Sequence, residues 1–258
     1  MKNSVLFFSI LLLFPLSFKT ALRILEKEAI LSPMRYDLIQ EATFIDRPNR
    51  FIAHVLLNGT STVCHVKNTG RCKELLVPGA KVILSRGANP LRKTAYDLVS
   101  VYKGDRLINM DSQSPNEIAE EYLPRLFPDL VTLKREVAYG ASRFDFYGTK
   151  VDGPFYLEVK GVTLEREDRV YFPDAPTERG LKHVQELIRL RQAGVGAYLL
   201  FVVQMNGVIA LRANRETHPA FADALLAARD AGVGILAVDC LVTPDTVAAH
   251  RPVPVEYI

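Results

Sequence analysis

The chain has 258 residues, 48% of them hydrophobic and 24% charged, with Gly and Pro together at 30 positions. That balance excludes a disordered or collagen-like chain and leaves length for one large domain or two small ones with a buried core. A net charge of +3 is too small to mark a nucleic-acid binder by itself, and three cysteines without C-x-x-C spacing exclude a disulfide framework and argue against a zinc or redox motif. A cytoplasmic, reducing setting is the expectation.

The N-terminus reads differently. An apolar run from Val5 to Phe18 follows Met1-Lys2-Asn3 and is closed by Lys19 and Arg23. It is too short to span a bilayer but fits the apolar stretch of a signal peptide, although small residues are missing at the cleavage positions. Residues 1–33 are therefore either a leader or an upstream extension, with Met34 as the true start. Without them 28 basic and 27 acidic residues remain, so any nucleic-acid site is a local patch, and no membrane contact is expected of the rest.

Between residues 37 and 109 the pattern is short and strand-like, with apolar segments at 38–39, 51–57, 63–66, 81–84 and 95–101. Turn clusters such as Arg47-Pro48-Asn49, Asn58-Gly59 and Pro78-Gly79 separate them. About five short strands in this length predict a small OB-like β-barrel over residues 34–111. Asn68-Thr69-Gly70-Arg71 reads as a tight turn; Arg71, with Lys67, Lys73, Arg47 and Arg50, is a candidate phosphate-contacting edge. Tyr36, Phe44 and Phe51 are core residues or stacking surfaces. His54 and His65 sit in strand patterns and are read as packed, and the three cysteines as buried small hydrophobes.

From residue 112 the rhythm changes to an α/β (α+β) domain. A helix is expected over 115–126 with Ser114 as its cap, then strands over 133–139, 143–147 and 155–160. A helix over 177–192, a strand at 197–203 apolar enough to be buried on both faces, a helix over 219–231 and a strand at 234–238 follow. The predicted order is αβββαβαβ.

The chemistry concentrates between Arg143 and His183. Alternation puts Glu158 and Lys160 on one strand face, and a loop of about seven residues (148–154) returns the chain so that Asp145 lies beside Glu158. Two adjacent carboxylates resist joint ionisation unless a cation neutralises them. Their oxygen-only character suits Mg²⁺ or Mn²⁺. Lys160 next to such an ion stabilises developing phosphorane charge or positions a water. Acidic-x-basic triplets are frequent as solvated ion pairs. Here the flanking Leu157 and Val159 place the triplet inside a sheet, where an unpaired Glu and Lys are costly. On the second helix, capped by Thr177, Arg179, Lys182, His183 and Glu186 share one face, as a phosphate-gripping stripe or a solvated surface. Gln204 either reaches the same cleft or ends its strand.

Met34-Arg35-Tyr36, Asn68-Thr69-Gly70-Arg71, Ser142-Arg143-Phe144-Asp145-Phe146 and Glu158-Val159-Lys160-Gly161-Val162-Thr163-Leu164 occur in that order. Phe172-Pro173-Asp174-Ala175-Pro176-Thr177-Glu178-Arg179-Gly180 and Lys182-His183 complete the set. From Met34 to its end the sequence resembles the sugar fermentation stimulation protein A family. The resemblance implies an OB-like barrel followed by a PD-(D/E)XK nuclease-like αβββαβ domain over 112–258, with DNA as partner. It implies a catalytic set of Asp145, Glu158 and Lys160. It also places a further acid on the first helix of the core, where Glu120 and Glu121 both qualify and Glu121 is chosen, so that Asp145, Glu158 and Glu121 form the expected metal set. Asn68, Arg71, Arg143, Arg179, Lys182 and His183 are the candidate nucleic-acid contacts. Two functions follow: a Mg²⁺-dependent nuclease, or a non-catalytic DNA-binding regulator of sugar (maltose) metabolism on the same scaffold. A sugar-metabolising enzyme rests on the family's name alone.

Overall fold

The computed structural model describes residues 33–257 except Thr69, Ala88, Pro90 and Ala141. The apolar run at 5–18, and with it the choice between leader and extension, lies outside these residues. A two-residue strand β1 (Met34–Arg35) is followed by β2 (Ile39–Asp46), β3 (Ile52–Leu57), β4 (Thr60–Val66), β5 (Lys81–Arg86), β6 (Tyr96–Lys103) and β7 (Arg106–Asn109). Strands pair in the order β4-β3-β2-β5-β6, and a parallel β4–β6 pairing closes the ring into a five-stranded barrel. The β3–β4 turn is Asn58-Gly59, both with positive φ, the geometry that matches strand twist in a two-residue hairpin. Val55, Cys64, Val82, Leu84, Leu98 and Val101 fill the barrel. Ile83 and Val99, on the opposite faces of β5 and β6, are buried as well, because that side of the wall packs on the second half of the chain. His54 and His65 are not packed: they lie on the outer surface, paired with Asp46 and Asp97.

The second half opens with α1 (Ser114–Leu126) and strands β8 (Thr132–Tyr139), β9 (Ser142–Lys150) and β10 (Gly153–Val162). Then come the hairpin β11 (Leu164–Arg166) and β12 (Arg169–Phe172), α2 (Glu178–Gln192), β13 (Gly196–Val203), β14 (Ala210–Ala213) and α3 (Pro219–Asp230). β15 (Gly234–Val242), β16 (Thr246–Pro252) and β17 (Val255–Glu256) end the described chain. One sheet has the order β1-β16-β15-β13-β10-β9-β8, with β10, β13 and β15 parallel at its centre. The run in β13 is apolar throughout because both faces are covered. Leu200 and Val202 pack on Ile118, Ala119, Tyr122 and Leu123 of α1, while Leu199, Phe201 and Val203 pack in the core shared by α2 and α3.

Two local expectations are corrected and one feature is added. Ser114 is the first residue of α1 rather than its cap; Gln113 holds the cap position, and the Ser114 hydroxyl turns inward to Asn109 Oδ1 at 2.7 Å. The seven-residue loop is a two-residue turn, Val151-Asp152, because β9 continues through Gly148 and Thr149. Gly148 belongs to that strand by its pairing with Phe155 and Leu133, and it is a glycine where the Phe155 ring crosses: a Cβ there would sit 2.4 Å from Phe155 Cζ. Finally, β11, β12, β14 and β17 form a small sheet that the apolar pattern does not announce. Its strands are too short to alternate visibly, and it is tied by charge, with Arg212 and Arg169 both on Glu256. Among the described residues no helix is long and apolar enough to cross a membrane.

Candidate metal and nucleic-acid site

The site forms where β9 and β10 part. Their ladder ends at Leu157 opposite Phe146. On the other side of β9, β8 pairs regularly except that Glu136 and Asp145 are skipped, and Glu136 has φ +54°. Such an irregularity re-aims side chains. Phe146 packs under α1, whereas Phe144, two residues away, packs under α2, so the alternation of β9 turns over at Asp145. The carboxylate left at that turnover points into the fork. Its Oδ1 accepts from Asn116 Nδ2 (2.9 Å) in the first turn of α1, and its Oδ2 accepts from Val159 N–H (2.8 Å) of β10.

Glu158 is 3% exposed. Its Oε1 is shared by two donors, Lys160 Nζ and His183 Nδ1, the latter from one turn into α2. Because an ionised carboxylate only accepts, Nδ1 of His183 carries the proton. Its Oε2 is buried and has no hydrogen-bond partner among the described residues. Burial pushes the Glu158 carboxyl up, but the His183 and Lys160 donors outweigh it and hold the group below the usual range. Asp145 goes the other way: burial first, then the Glu158 charge, raise it. Divergent environments around two neighbouring carboxylates are what a hard cation relieves, and the unpartnered Oε2 is an oxygen available to one. Among the described residues no cluster of three or more His, Cys, Asp or Glu is placed to hold a metal. The donor set is therefore the Asp145–Glu158 pair, which suits an ion that keeps several waters.

These groups line a cavity of about 410 Å³. The barrel contributes Asn68 and Gly70, α1 contributes Pro115 and Asn116, and β10, Asp174, Arg179 and Gln204 close it. The barrel loop is held by Arg47, whose guanidinium donates to the carbonyls of Asn68, Gly70, Arg71 and Arg50 at 2.6–2.9 Å. Arg47 is thus a clasp rather than a phosphate contact. Gln204 is buried and reaches the cleft wall: its Nε2 lies 2.8 Å from Asn109 Oδ1, 2.9 Å from Asp111 O and 3.1 Å from Ser114 Oγ. Asp111, fully buried, accepts from Lys67 Nζ (2.5 Å), Tyr36 Oη (3.2 Å) and Gln113 N–H (2.9 Å). This polar seam joins the barrel to the first turn of α1 and the ends of β10 and β13.

The fork brings together Asp145, Glu158 and Lys160, with Asn68 and Arg179 on the rim. The other candidates fall elsewhere. His183 is 4% exposed and supports Glu158 instead of facing solvent. Arg143 is exposed and bound to Glu136, Arg71 borders a neighbouring cavity, and Lys182 is on the exposed side of α2. Glu121 is away from the cavity. The side chain of α1 that reaches Asp145 is Asn116, and an amide in the first turn of a helix looks in sequence like a capping residue.

Burial, together with Glu117 and Glu120, raises the Glu121 carboxyl to about 7 from 4.5. A carboxyl with a folded pKa above its unfolded value costs stability as pH climbs through that interval and costs nothing below it. Glu121→Gln is therefore expected to melt higher than the parent at pH 8 and together with it at pH 4, in thermal denaturation at the two pH values.

A closed OB barrel leading into an αβββαβ core, with an acid pair and a lysine at the fork of its inner strands, is the build of a nuclease-like, two-part protein. The family model described as the sugar fermentation stimulation protein RE domain matches residues 113–246, and the SfsA N-terminal OB domain matches residues 45–110. A sugar fermentation stimulation protein homolog of Clostridium beijerinckii is 51% identical over 216 residues, covering 83% of this chain and 96% of its own. The homolog of Ruminiclostridium cellulolyticum is 48% identical over 224 residues, covering 86% and 99%. The structure of Pyrococcus furiosus SfsA in complex with Ca²⁺ superposes with a TM-score of 0.79 at 26% identity, over 88% of this chain and 99% of that one. The chain belongs to the sugar fermentation stimulation protein family.

Proposed function

We propose that this protein binds DNA and hydrolyses phosphodiester bonds at the β9–β10 fork, with Asp145 and Glu158 holding a divalent cation, Mg²⁺ or Mn²⁺. The observation that carries this reading is the buried Oε2 of Glu158, unpartnered among the described residues, beside an Asp145 whose carboxyl is raised by burial and by that same neighbour. The Ca²⁺ bound by the Pyrococcus furiosus protein agrees with it. A bound divalent cation supplies Lewis-acid polarisation of a phosphate and a water of lowered pKa. The chain's own groups do the rest. Asn116 and the Val159 amide orient Asp145, and His183 orients Glu158. Lys160 turns from Glu158 to the non-bridging oxygen where charge develops. Arg179 and the Asn68–Gly70 turn border the space for the phosphate. Three buried free cysteines, Cys64, Cys72 and Cys240, suit a reducing cytoplasm.

A binding-only reading has one observation in its favour: Lys160 Nζ is spent on Glu158, as in a self-compensating ion pair. Labelled DNA incubated with the full chain in EDTA, in Mg²⁺ and in Mn²⁺ separates the two. Products that appear only with a divalent ion support hydrolysis. Salt-dependent binding without products on DNA or RNA leaves a regulator on a nuclease scaffold.

A further inference from the structure

A second cavity, of about 400 Å³, lies on the barrel side of the residue 68–71 loop. Its floor is apolar, made by Phe44, Leu76 and Pro78. Its rim carries three exposed cations, Arg50, Arg71 and Lys73. None of their side chains has a hydrogen-bond or ion-pair partner among the described residues, whereas the carboxylate on that rim, Asp46, is engaged by His54 at 2.6 Å. Clustered like charges without partners repel one another and favour an anion. The Phe51 ring, next in sequence to Arg50, is 55% exposed.

We infer that this cavity takes an unstacked nucleobase with its phosphate, so that the barrel holds single-stranded nucleic acid; the inference rests on the nucleic-acid reading above. The reasoning is chemical. Phosphate alone has no use for an apolar floor, and an apolar ligand has none for three free cations. A nucleotide uses both, with the phosphate at the rim and the base on the floor. Duplex DNA keeps its bases stacked inside, so only an unpaired strand offers a base face to Phe51 or to the floor. Gly70 borders this cavity and the carboxylate cavity alike. A strand crossing the loop passes from one to the other, and Arg47 is the positioning residue that keeps this shared wall in place.

Fluorescence anisotropy with the full chain in EDTA tests this without cleavage. A labelled short oligo(dT) is compared with a blunt hairpin duplex and with thymidine monophosphate as competitor. Oligo(dT) is expected to bind at least about tenfold tighter than the duplex. Arg50→Glu with Lys73→Glu, both on the surface, should weaken oligo(dT) by about tenfold or more. Phe51→Ala should weaken it about fivefold or more with an unchanged salt slope, since stacking releases no counterions. Duplex affinity equal to or above that of oligo(dT), or an Arg50→Glu/Lys73→Glu variant within about twofold of the parent, overturns the inference. Monophosphate competing as well as the oligomer overturns it in favour of a free-nucleotide pocket. Metal-dependent cleavage persisting alongside any of these failures leaves the fork reading intact. Oligo(dT) binding as expected without cleavage rejects only hydrolysis.

Discussion

Asp145→Asn and Lys160→Ala are each expected to reduce metal-dependent cleavage by on the order of 10²-fold or more, by separable routes. Asp145→Asn keeps the shape and one acceptor oxygen for the Val159 amide but removes a full charge from the cation pair. Metal affinity, read by calorimetry with Mn²⁺, should fall together with the cleavage rate. Lys160→Ala removes a positive charge next to the ion and frees Glu158 Oε1 of one donor while His183 keeps the other. Metal affinity should hold or improve while the rate collapses, because the lost group acts on the phosphate. Binding of uncleaved DNA in EDTA should survive Asp145→Asn and tighten, since phosphates lose a negative neighbour. Full activity in both variants would place the chemistry elsewhere.

The largest expected loss of stability lies at the polar seam. Asp111→Ala strips a fully buried carboxylate from Lys67, Tyr36 and the Gln113 amide, leaving an ammonium without its counter-charge and an N–H without an acceptor. Breaking a buried pair from one side costs about 3–5 kcal/mol, which in a chain of this size lowers the thermal midpoint by roughly 10 °C. Calorimetry reads this directly. Adding Lys67→Met should recover part of the loss, since no charge is then stranded. A midpoint within about 2 °C of the parent would show that Lys67 finds water instead.

Periodicity and chemistry announce some of this molecule plainly. The apolar run of β13 and the stripe Ile118, Ala119, Tyr122, Leu123 on α1 are direct readouts of burial on two faces and on one. The Glu158-x-Lys160 spacing is a readout of strand alternation. What stayed hidden depends on long-range geometry. Arg47 looks like any surface arginine until four carbonyls converge on it. His183 belongs to a helical stripe by spacing, yet the helix sets that position against Glu158. Asn116 carries no acidic signal. The small sheet of β11, β12, β14 and β17 is held by ion pairs between segments up to about ninety positions apart, as from Arg169 to Glu256, which no local window contains.

The irregularity at Glu136 touches no ligand, yet without it Asp145 would follow the ordinary two-residue repeat of β9 and lie on the same side as Tyr147. Regular pairing of Glu136 with Asp145, which the register already sets opposite one another, would restore the repeat while leaving Asp145, Glu158 and Lys160 in the sequence. A motif search would still accept such a chain, although its two carboxylates would no longer converge. For relatives of this protein, then, competence at the fork is better judged by the backbone of an edge strand than by the signature residues themselves.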